Sequence, residues 1–186
     1  KNILTTSLVF DINKLSIYFA INDLTNGQHG STWHNYRFYY NPIISKLIPI
    51  GFDAMPGEAT GKKPLDKIII EKIYSDQIMN FFQDEELIKA YISQLERISE
   101  KSYLDNFFLE IKEEYENNLK LLGYNIPFIN GHLADFKSLL YINQKIIQDK
   151  LNPKTPLNIY LTEISQNQIT LDIGNKQLLP IEILEI

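Results

Sequence analysis

The sequence predicts an α+β fold, in which a mainly helical lobe carries one β-hairpin and is followed by the first strands of a β-rich domain. Three observations support this prediction. Apolar residues recur at helical spacing in several segments up to residue 151, an aromatic stretch near residue 40 has the turn residues of a hairpin, and the pattern becomes strand-like after residue 156. We therefore expect two regions, residues 1–152 and residues 153–186.

The composition of the chain narrows its class of function. With 186 residues, 44% of them hydrophobic, the chain can bury a core. Its net charge of −5 argues against non-specific binding to nucleic acid. No run of about 18 apolar residues occurs, so no membrane span is predicted. The absence of cysteine excludes disulfides, thiolate metal sites and cysteine nucleophiles.

The first helix is predicted to start after Asp11, because an aspartate side chain can accept a hydrogen bond from the free N–H groups of a helix start. Apolar residues follow at helical spacing, and Gly27 is predicted to end the helix as a C-cap residue. The next segment, Gln28–Asn35, is polar and is predicted to be a loop.

A β-hairpin is predicted after this loop. Tyr36–Tyr40 is rich in aromatic residues and should form the first strand, Asn41-Pro42 should begin the turn, and Lys46–Ile50 should form the second strand. The segment Asp53–Pro64 contains glycine and lysine residues and is predicted to be an exposed, mobile loop.

Most of the chain between the hairpin and residue 151 is predicted to be helical. Leu65–Tyr74 is ambiguous, because its three consecutive isoleucines suit either a strand or a buried helix. The remaining helices are predicted over Asp76–Phe82, from the N-cap Asp84 to Ile98, from the N-cap Ser102 to Leu122 with Gly123 as the stop, and over His132–Leu151.

Residues 157–186 are predicted to form strands. The segments LNIYL, QITLDI and LPIEILEI are apolar or alternating, and turn residues occur at Ser165–Asn167 and at Gly174-Asn175. Three strands alone bury little apolar surface, so we expect this region to be the start of a β-rich domain.

A candidate site lies at one end of the predicted hairpin. The polar loop ends in Asn35, and Asp53 comes just after the second strand. Because a tight hairpin returns the chain towards its starting point, the two side chains should lie close together. An amide oxygen and a carboxylate suit a hard cation such as Mg²⁺, whose remaining ligands would be phosphates and waters.

Three sequence segments between Phe10 and Asp53 occur in an order that is known from a protein family. FDINKLSIYFAINDL is a helix before a loop, HNYRFYYNP is the loop end with a first strand, and KLIPIGFD is a second strand that ends in an acid. Together they resemble the C-terminal lobe of a kinase-like fold, and most closely the CotH family, the spore coat protein H-like atypical protein kinases. The resemblance covers the segment from Phe10 to Asp53, and the helices up to Leu151 fit the family more loosely.

The resemblance implies an ATP- and Mg²⁺-dependent phosphotransferase that acts on a Ser or Thr hydroxyl of a protein substrate. Asp53 would hold Mg²⁺ (or Mn²⁺) against the phosphates of ATP, and Asn35 would complete the metal site. The resemblance also implies an N-terminal kinase lobe upstream in the full-length protein. An exported or envelope-associated setting in a bacterium would follow by the same analogy.

The catalytic loop departs from the family at one position. Family members generally place an Asp early in this loop, where it orients or deprotonates the acceptor hydroxyl, whereas this chain has Gln28-His29-Gly30. His29 is the nearest substitute, because a neutral imidazole can act as a general base near pH 7. The second hairpin strand of the family also often ends in Asp-x-Asp, of which only Asp53 occurs here.

Two hypotheses of different class follow from the sequence. The first is the phosphotransferase, with His29, Asn35 and Asp53 in catalysis. The second is a catalytically weak or inactive relative that serves as a binding or scaffold module of the cell envelope, and the missing loop Asp favours it. An unrelated metalloenzyme is a more distant alternative, because the three histidines are scattered in sequence and no HExxH spacing occurs.

Other residues of the loop and hairpin have plainer interpretations. His29 itself can be an exposed loop residue, and His34 can either anchor the loop or act directly. We expect a group of aromatic residues to form the core of the hairpin rather than a platform for substrate: Trp33, Tyr36, Phe38 and Tyr40.

Overall fold

The secondary structure combines helices with two small antiparallel sheets, which confirms the predicted α+β class. The computed structural model describes residues 4–57, 63–72, 80–126 and 129–181, with the backbone alone for residues 129–134. The chain divides into two units, Lys1–Gln148 and Asp149–Ile186. Within the described ranges, no helix has both the length and the apolar character needed to cross a bilayer.

The described residues form six α-helices, two 3₁₀ helices and four strands. The α-helices are α1 (Thr6–Val9), α2 (Ile12–Leu24), α3 (Glu85–Ser99), α4 (Lys101–Glu110), α5 (Lys112–Asn125) and α6 (Ile129–Leu151). The 3₁₀ helices cover Gln28–Ser31 and Ile69–Lys72, and the strands are β1 (Arg37–Asn41), β2 (Lys46–Ile50), β3 (Leu157–Ile164) and β4 (Ile169–Asn175).

The core of the first unit forms where α2 packs against α3. Each of these helices presents an apolar stripe with a spacing of three or four residues. The buried members of the two stripes are Leu15, Phe19, Ala20 and Leu24 of α2 and Leu87, Tyr91, Leu95 and Ile98 of α3. Ile68, Ile69 and Ile70 are also buried, so the ambiguous isoleucine segment forms a buried turn that leads into a 3₁₀ helix.

The start of α2 confirms the prediction, but its end differs from it. Asp11 caps the helix, with its Oδ1 accepting a hydrogen bond from Lys14 N at 3.1 Å. The left-handed residue at the other end is Asn26, with φ 46°, and not Gly27. Asn26 N donates to Asp23 O at 3.0 Å and Gly27 N donates to Asn22 O at 2.7 Å, which is the Schellman arrangement. Asn can take the left-handed position because its short polar side chain tolerates it.

The predicted N-cap of α3 is also confirmed, because Asp84 Oδ1 accepts a hydrogen bond from Glu86 N at 2.9 Å. Its other oxygen, Oδ2, accepts from Ser7 N at 2.7 Å. One carboxylate therefore caps α3 and ties it to α1. The helix predicted over Asp76–Phe82 lies mostly outside the described residues.

The long helix predicted from Ser102 to Leu122 is wrong in three respects. Two helices, α4 and α5, occupy this segment and meet at Ile111. Ser102 lies inside the first turn of α4, because the chain already turns at Glu100. Gly123 does not stop α5, which continues to Asn125. The helix ends where Ile126 takes φ −133° and ψ 85°, since a residue before proline disfavours the helical region.

The first hairpin, β1–β2, follows the predicted strands to within one residue. Its register pairs Arg37 with Ile50 and Asn41 with Lys46 around a four-residue turn. The hairpin is joined to the preceding chain by Asp11 N, which donates to Leu47 O at 3.0 Å. Phe38 of β1 packs edge to face on Phe10, with 5.0 Å between the ring centroids.

The second hairpin, β3–β4, belongs to the second unit and pairs Leu157 with Asn175. Its loop confirms the turn predicted at Ser165–Asn167. Gly174-Asn175 is not a turn, because both residues pair within β4. The third predicted strand, LPIEILEI, falls largely outside the described residues, and its described part, residues 179–181, is not a strand.

Candidate functional site

The three candidate site residues come from three adjacent pieces of the first unit. His29 lies in the 3₁₀ helix that follows α2, Asn35 lies two residues before β1, and Asp53 lies three residues after β2. The hairpin returns the chain to the loop from which it started. As the sequence indicated, the Asn35 and Asp53 side chains therefore lie side by side.

One carboxylate oxygen is the meeting point of the three residues. Asp53 Oδ2 lies 3.5 Å from Asn35 Nδ2 and 3.4 Å from His29 Nε2. Both distances are longer than the roughly 2.7–3.2 Å of a typical N–H···O hydrogen bond, so the three groups are close together without being tightly bonded. Asn35 Nδ2 also donates to His29 O at 3.1 Å, which ties the end of the loop to its beginning.

The three side chains differ in their access to solvent. Asn35 is buried, with 4% of its surface exposed. The side chains of His29 and Asp53 are 39% and 48% exposed. The amide is thus held inside the protein, while the carboxylate and the imidazole can meet a ligand from solution.

The oxygens of Asp53 and Asn35 suit a hard cation that takes few ligands from the protein and keeps water or phosphate for the rest. The Asp53 carboxylate contacts His29 and Asn35 through Oδ2 alone, and Asn35 makes its contacts to Asp53 and to His29 O through Nδ2 alone. Among the described residues, Asp53 Oδ1 and Asn35 Oδ1 carry no hydrogen bond, but only the Asp53 oxygen belongs to an exposed side chain, since Asn35 is buried. Two protein oxygens completed by phosphates and waters suit Mg²⁺, which sheds its waters reluctantly. The described residues contain no cluster of three or more His, Asp or Glu side chains that could hold a metal without such help.

Gly30 lies close to the backbone of the segment that carries Asp53. A Cβ on Gly30 would lie 3.1 Å from Ala54 Cα and 3.2 Å from Phe52 O. These are backbone atoms of the segment that carries Asp53, and they cannot move without moving the site. A side chain at Gly30 would therefore press on this segment, and the neighbouring His29 is the residue of this turn that reaches the carboxylate.

The backbone at Asp53 is strained. Asp53 and Met55 have φ values of 45° and 48°, in the left-handed region that side chains with a Cβ disfavour. Such residues persist only where their surroundings hold them, and they occur often at functional sites. The close approach of Gly30 to Ala54 is one part of that support.

The histidines and aromatic residues differ in part from the expectation. His29 and His34 are neighbours, with ring centroids 5.8 Å apart, so two of the three histidines are not scattered in space. His34 Nε2 also lies 3.3 Å from Thr32 Oγ1. Trp33 is 68% exposed and Tyr40 is 56% exposed, so neither belongs to the hairpin core.

Two members of the aromatic set do pack as expected. Tyr36 and Phe38 stack on each other, and Tyr36 meets the ring of Phe81 edge to face. The Tyr36 hydroxyl is buried and has no hydrogen-bond partner among the described residues, and burial raises its pKa. These rings join the hairpin to the rest of the unit.

Asp23 is a further residue of this region that the sequence analysis missed. Its side chain is fully buried and links the loop to the core: Oδ1 accepts from Gln28 Nε2 at 2.5 Å and from Ile69 N at 3.0 Å, and Oδ2 accepts from the Tyr91 hydroxyl. Gln28 in turn accepts a hydrogen bond from Lys72 Nζ. The carboxylate thus fixes the residue that precedes His29.

A sequence signal for Asp23 existed. Leu15, Phe19 and Asp23 are spaced four residues apart, so the aspartate occupies a position of the buried stripe of α2. A carboxylate at such a position must be paired or neutral. Burial raises the pKa of Asp23 from 3.8 to about 7, although the hydrogen bonds from Tyr91, Gln28 and Ile69 oppose this shift.

No family model, curated protein or solved structure was found to match this chain.

Proposed function

We propose that this chain is the C-terminal-lobe part of a CotH-like phosphotransferase that moves the γ-phosphate of ATP to a protein hydroxyl. Asp53 and Asn35 hold Mg²⁺ or Mn²⁺ against the nucleotide phosphates, and His29 lies nearest the acceptor hydroxyl. The observation that carries the proposal is the convergence of His29 Nε2, Asn35 Nδ2 and Asp53 Oδ2. Phosphoryl transfer needs this kind of positioning and charge stabilisation, with little covalent chemistry from the protein.

The orientation of His29 supports its role as a base. His29 Nε2 lies 3.4 Å from Asp53 Oδ2, so the carboxylate would stabilise the imidazolium that forms when the ring takes up a proton. With Nε2 beside the carboxylate, Nδ1 is the nitrogen that would accept a proton from a substrate hydroxyl. The acceptor would give its proton to Nδ1 as its oxygen attacks the γ-phosphorus and ADP leaves.

A second function has one observation in its favour. The turn has Gln28-His29-Gly30 where the family generally places an Asp, so the expected loop carboxylate is missing. If His29 does not replace that residue, the fold would persist as a catalytically weak binding or scaffold module of the cell envelope. The two functions share the fold and differ in whether the histidine moves a proton.

The test is phosphate incorporation into protein by the full-length protein and three variants at matched folding. His29→Ala should lower kcat by about 10²–10⁴-fold and leave nucleotide affinity nearly unchanged, because a general base acts only in the chemical step. Asp53→Ala should abolish activity through loss of the metal. His29→Asp, which introduces the residue type of the family, should retain or raise the rate.

Three results would count against parts of this proposal. If His29→Ala is as active as the parent, the histidine takes no part in the reaction. If the parent incorporates no phosphate with ATP and either Mg²⁺ or Mn²⁺, the scaffold function is favoured. The 186-residue chain by itself should bind ATP weakly and only with a divalent cation, so tight metal-independent binding measured by calorimetry would also contradict the proposal.

A further inference from the structure

Arg37, the first residue of β1, contacts both segments that carry the candidate site. Its Nη1 donates to His34 O at 2.8 Å and to Tyr36 O at 2.9 Å. Its guanidinium carbon also lies 4.7 Å from the centroid of the Phe52 ring. His34 and Phe52 are the residues immediately before Asn35 and Asp53, so one planar group spans the two halves of the site.

The segment that follows Phe52 has an unfavourable backbone conformation and has to be held by its surroundings. Asp53 and Met55 both have positive φ, and the relaxed alternative for each is the extended or right-handed region. Gly30 supports the segment from one direction through its close approach to Ala54. The stacking of Arg37 on Phe52 is a second support, at the residue that leads directly into Asp53.

We infer that Arg37 and Phe52 form a clamp that holds Asp53 against Asn35, which makes Arg37 a positioning residue of the cation site. The inference rests on the proposed function for the identity of the ion, whereas the clamp itself is inferred from the contacts of Arg37 with His34, Tyr36 and Phe52. The guanidinium acts through its plane, which lies over the Phe52 ring, while Nη1 donates to the carbonyls of His34 and Tyr36. An ammonium group has the same charge but no planar face, so lysine should not replace it.

A different role for Arg37 is direct attraction of the nucleotide phosphates. That role needs positive charge at this position and would largely survive in a lysine variant. It would also leave the binding of a bare cation unaffected. The two roles therefore predict different results for Arg37→Lys. The clamp predicts weaker binding of Mn²⁺ in the absence of nucleotide, whereas attraction of the phosphates predicts no change in that binding.

The experiment compares the parent chain with Arg37→Lys, Arg37→Gln and Phe52→Leu. Two quantities are measured: Mn²⁺ affinity in the absence of nucleotide, by electron paramagnetic resonance, and the Asn35 side-chain amide resonance, by NMR. Arg97→Lys is the matched control, because the Arg97 guanidinium lies over the ring of Tyr103 at 5.6 Å, and α3 and α4, which carry these two residues, contain no candidate site residue. Thermal unfolding of each variant checks that the fold is intact.

The clamp predicts that all three site variants weaken Mn²⁺ affinity by about three- to tenfold, the range expected for loss of one cation–π contact and its hydrogen bonds. The same variants should shift the Asn35 amide resonance, while Arg97→Lys changes neither quantity. Parent-like Mn²⁺ affinity and a parent-like Asn35 resonance in Arg37→Lys and Arg37→Gln would overturn the clamp and favour attraction of the nucleotide phosphates. Unchanged resonance and affinity in Phe52→Leu would overturn it as well.

The outcomes separate the clamp from the proposed function. If the parent transfers phosphate and the site variants bind Mn²⁺ as the parent does, the clamp is wrong and the function stands. If the parent binds no Mn²⁺ but the Asn35 resonance responds to Arg37→Lys and Phe52→Leu, the clamp stands and the metal role fails.

Discussion

The two hairpins of this chain have similar sequence patterns and very different surroundings. β1–β2 has strands of five residues, whereas β3 and β4 have eight and seven residues and the larger ladder. Yet the shorter hairpin is tied to the chain before it by the Asp11–Leu47 hydrogen bond and by the ring of Phe10. The longer hairpin exposes apolar residues along its length, among them Ile159 at 57% and Ile164 at 68%.

This difference shows that pairing between two strands does not by itself place a functional site. A lone two-stranded hairpin is marginally stable in water, and its register is not held by any second layer. The first hairpin is held from outside its own ladder, so the residues at its open end keep fixed positions. Asn35 and Asp53 lie at that end, and a site that depends on distances of about 3 Å needs such fixed positions.

The largest expected contrast between the hairpins is in stability. Phe38→Ala removes a ring that packs on Phe10 and Tyr36 and should lower the free energy of unfolding of the first unit by about 3 kcal/mol. Tyr160→Ala in β3 removes a side chain that is 61% exposed and should change stability by less than about 0.5 kcal/mol. Urea unfolding followed by circular dichroism measures both, and equal losses would mean that the second hairpin is packed in solution.

The second contrast is in pH dependence. Because the folded pKa of Asp23, about 7, lies above its value in the unfolded chain, the native state holds a proton that the unfolded state has already released. The contribution of Asp23 is present in full below about pH 4 and is lost as pH rises through about 7, by at most about 1.4 kcal/mol per pH unit.

Asp23→Asn should remove this slope of stability against pH between about pH 4 and 7. Asp172 of β4 provides the matched control, since it is an exposed aspartate in the second hairpin. Asp172→Asn should leave the slope in place. Denaturant unfolding at several pH values measures all three proteins, and a slope that persists in Asp23→Asn would assign it to another group.

A third contrast uses two glycines. Gly30→Ala should destabilise the first unit by about 1 kcal/mol and weaken Mn²⁺ binding, because the new Cβ presses on the backbone of Ala54. Gly174 in β4 has nothing within 4 Å of the same position, and Gly174→Ala should be neutral or stabilising by about 0.5 kcal/mol. Thermal unfolding with a metal titration tests the pair, and an undisturbed site in Gly30→Ala would contradict the close approach.

The smallest contrast concerns two lysines. Lys46 of β2 donates from Nζ to Ser7 O at 2.5 Å and to Leu8 O at 2.8 Å, which ties the hairpin to α1. Lys46→Met should lower stability by about 1 kcal/mol. Lys176, just after β4, is exposed, and Lys176→Met should change stability by less than about 0.5 kcal/mol. If the two variants unfold alike, this attachment does not stabilise the first hairpin.

The sequence by itself determined the features that depend on neighbours within a few residues. The caps Asp11 and Asp84 were predictable because a short side chain can reach only the next N–H groups. The strands of the first hairpin were predictable from aromatic residues around a turn, and the proximity of Asn35 and Asp53 follows from that turn. Where the local signal was ambiguous, as at Ser102 and Gly123, the predicted helix ends were wrong.

The tertiary structure alone decided which of these features are held in place. Asp23 and Tyr91 are 68 positions apart, and their hydrogen bond exists only because α2 packs on α3. Three other features also depend on the tertiary structure: the exposure of Trp33, the stacking of Arg37 on Phe52, and the tight space at Gly30. Burial and close approach are properties of segments brought together by folding, so no local pattern of residues can specify them.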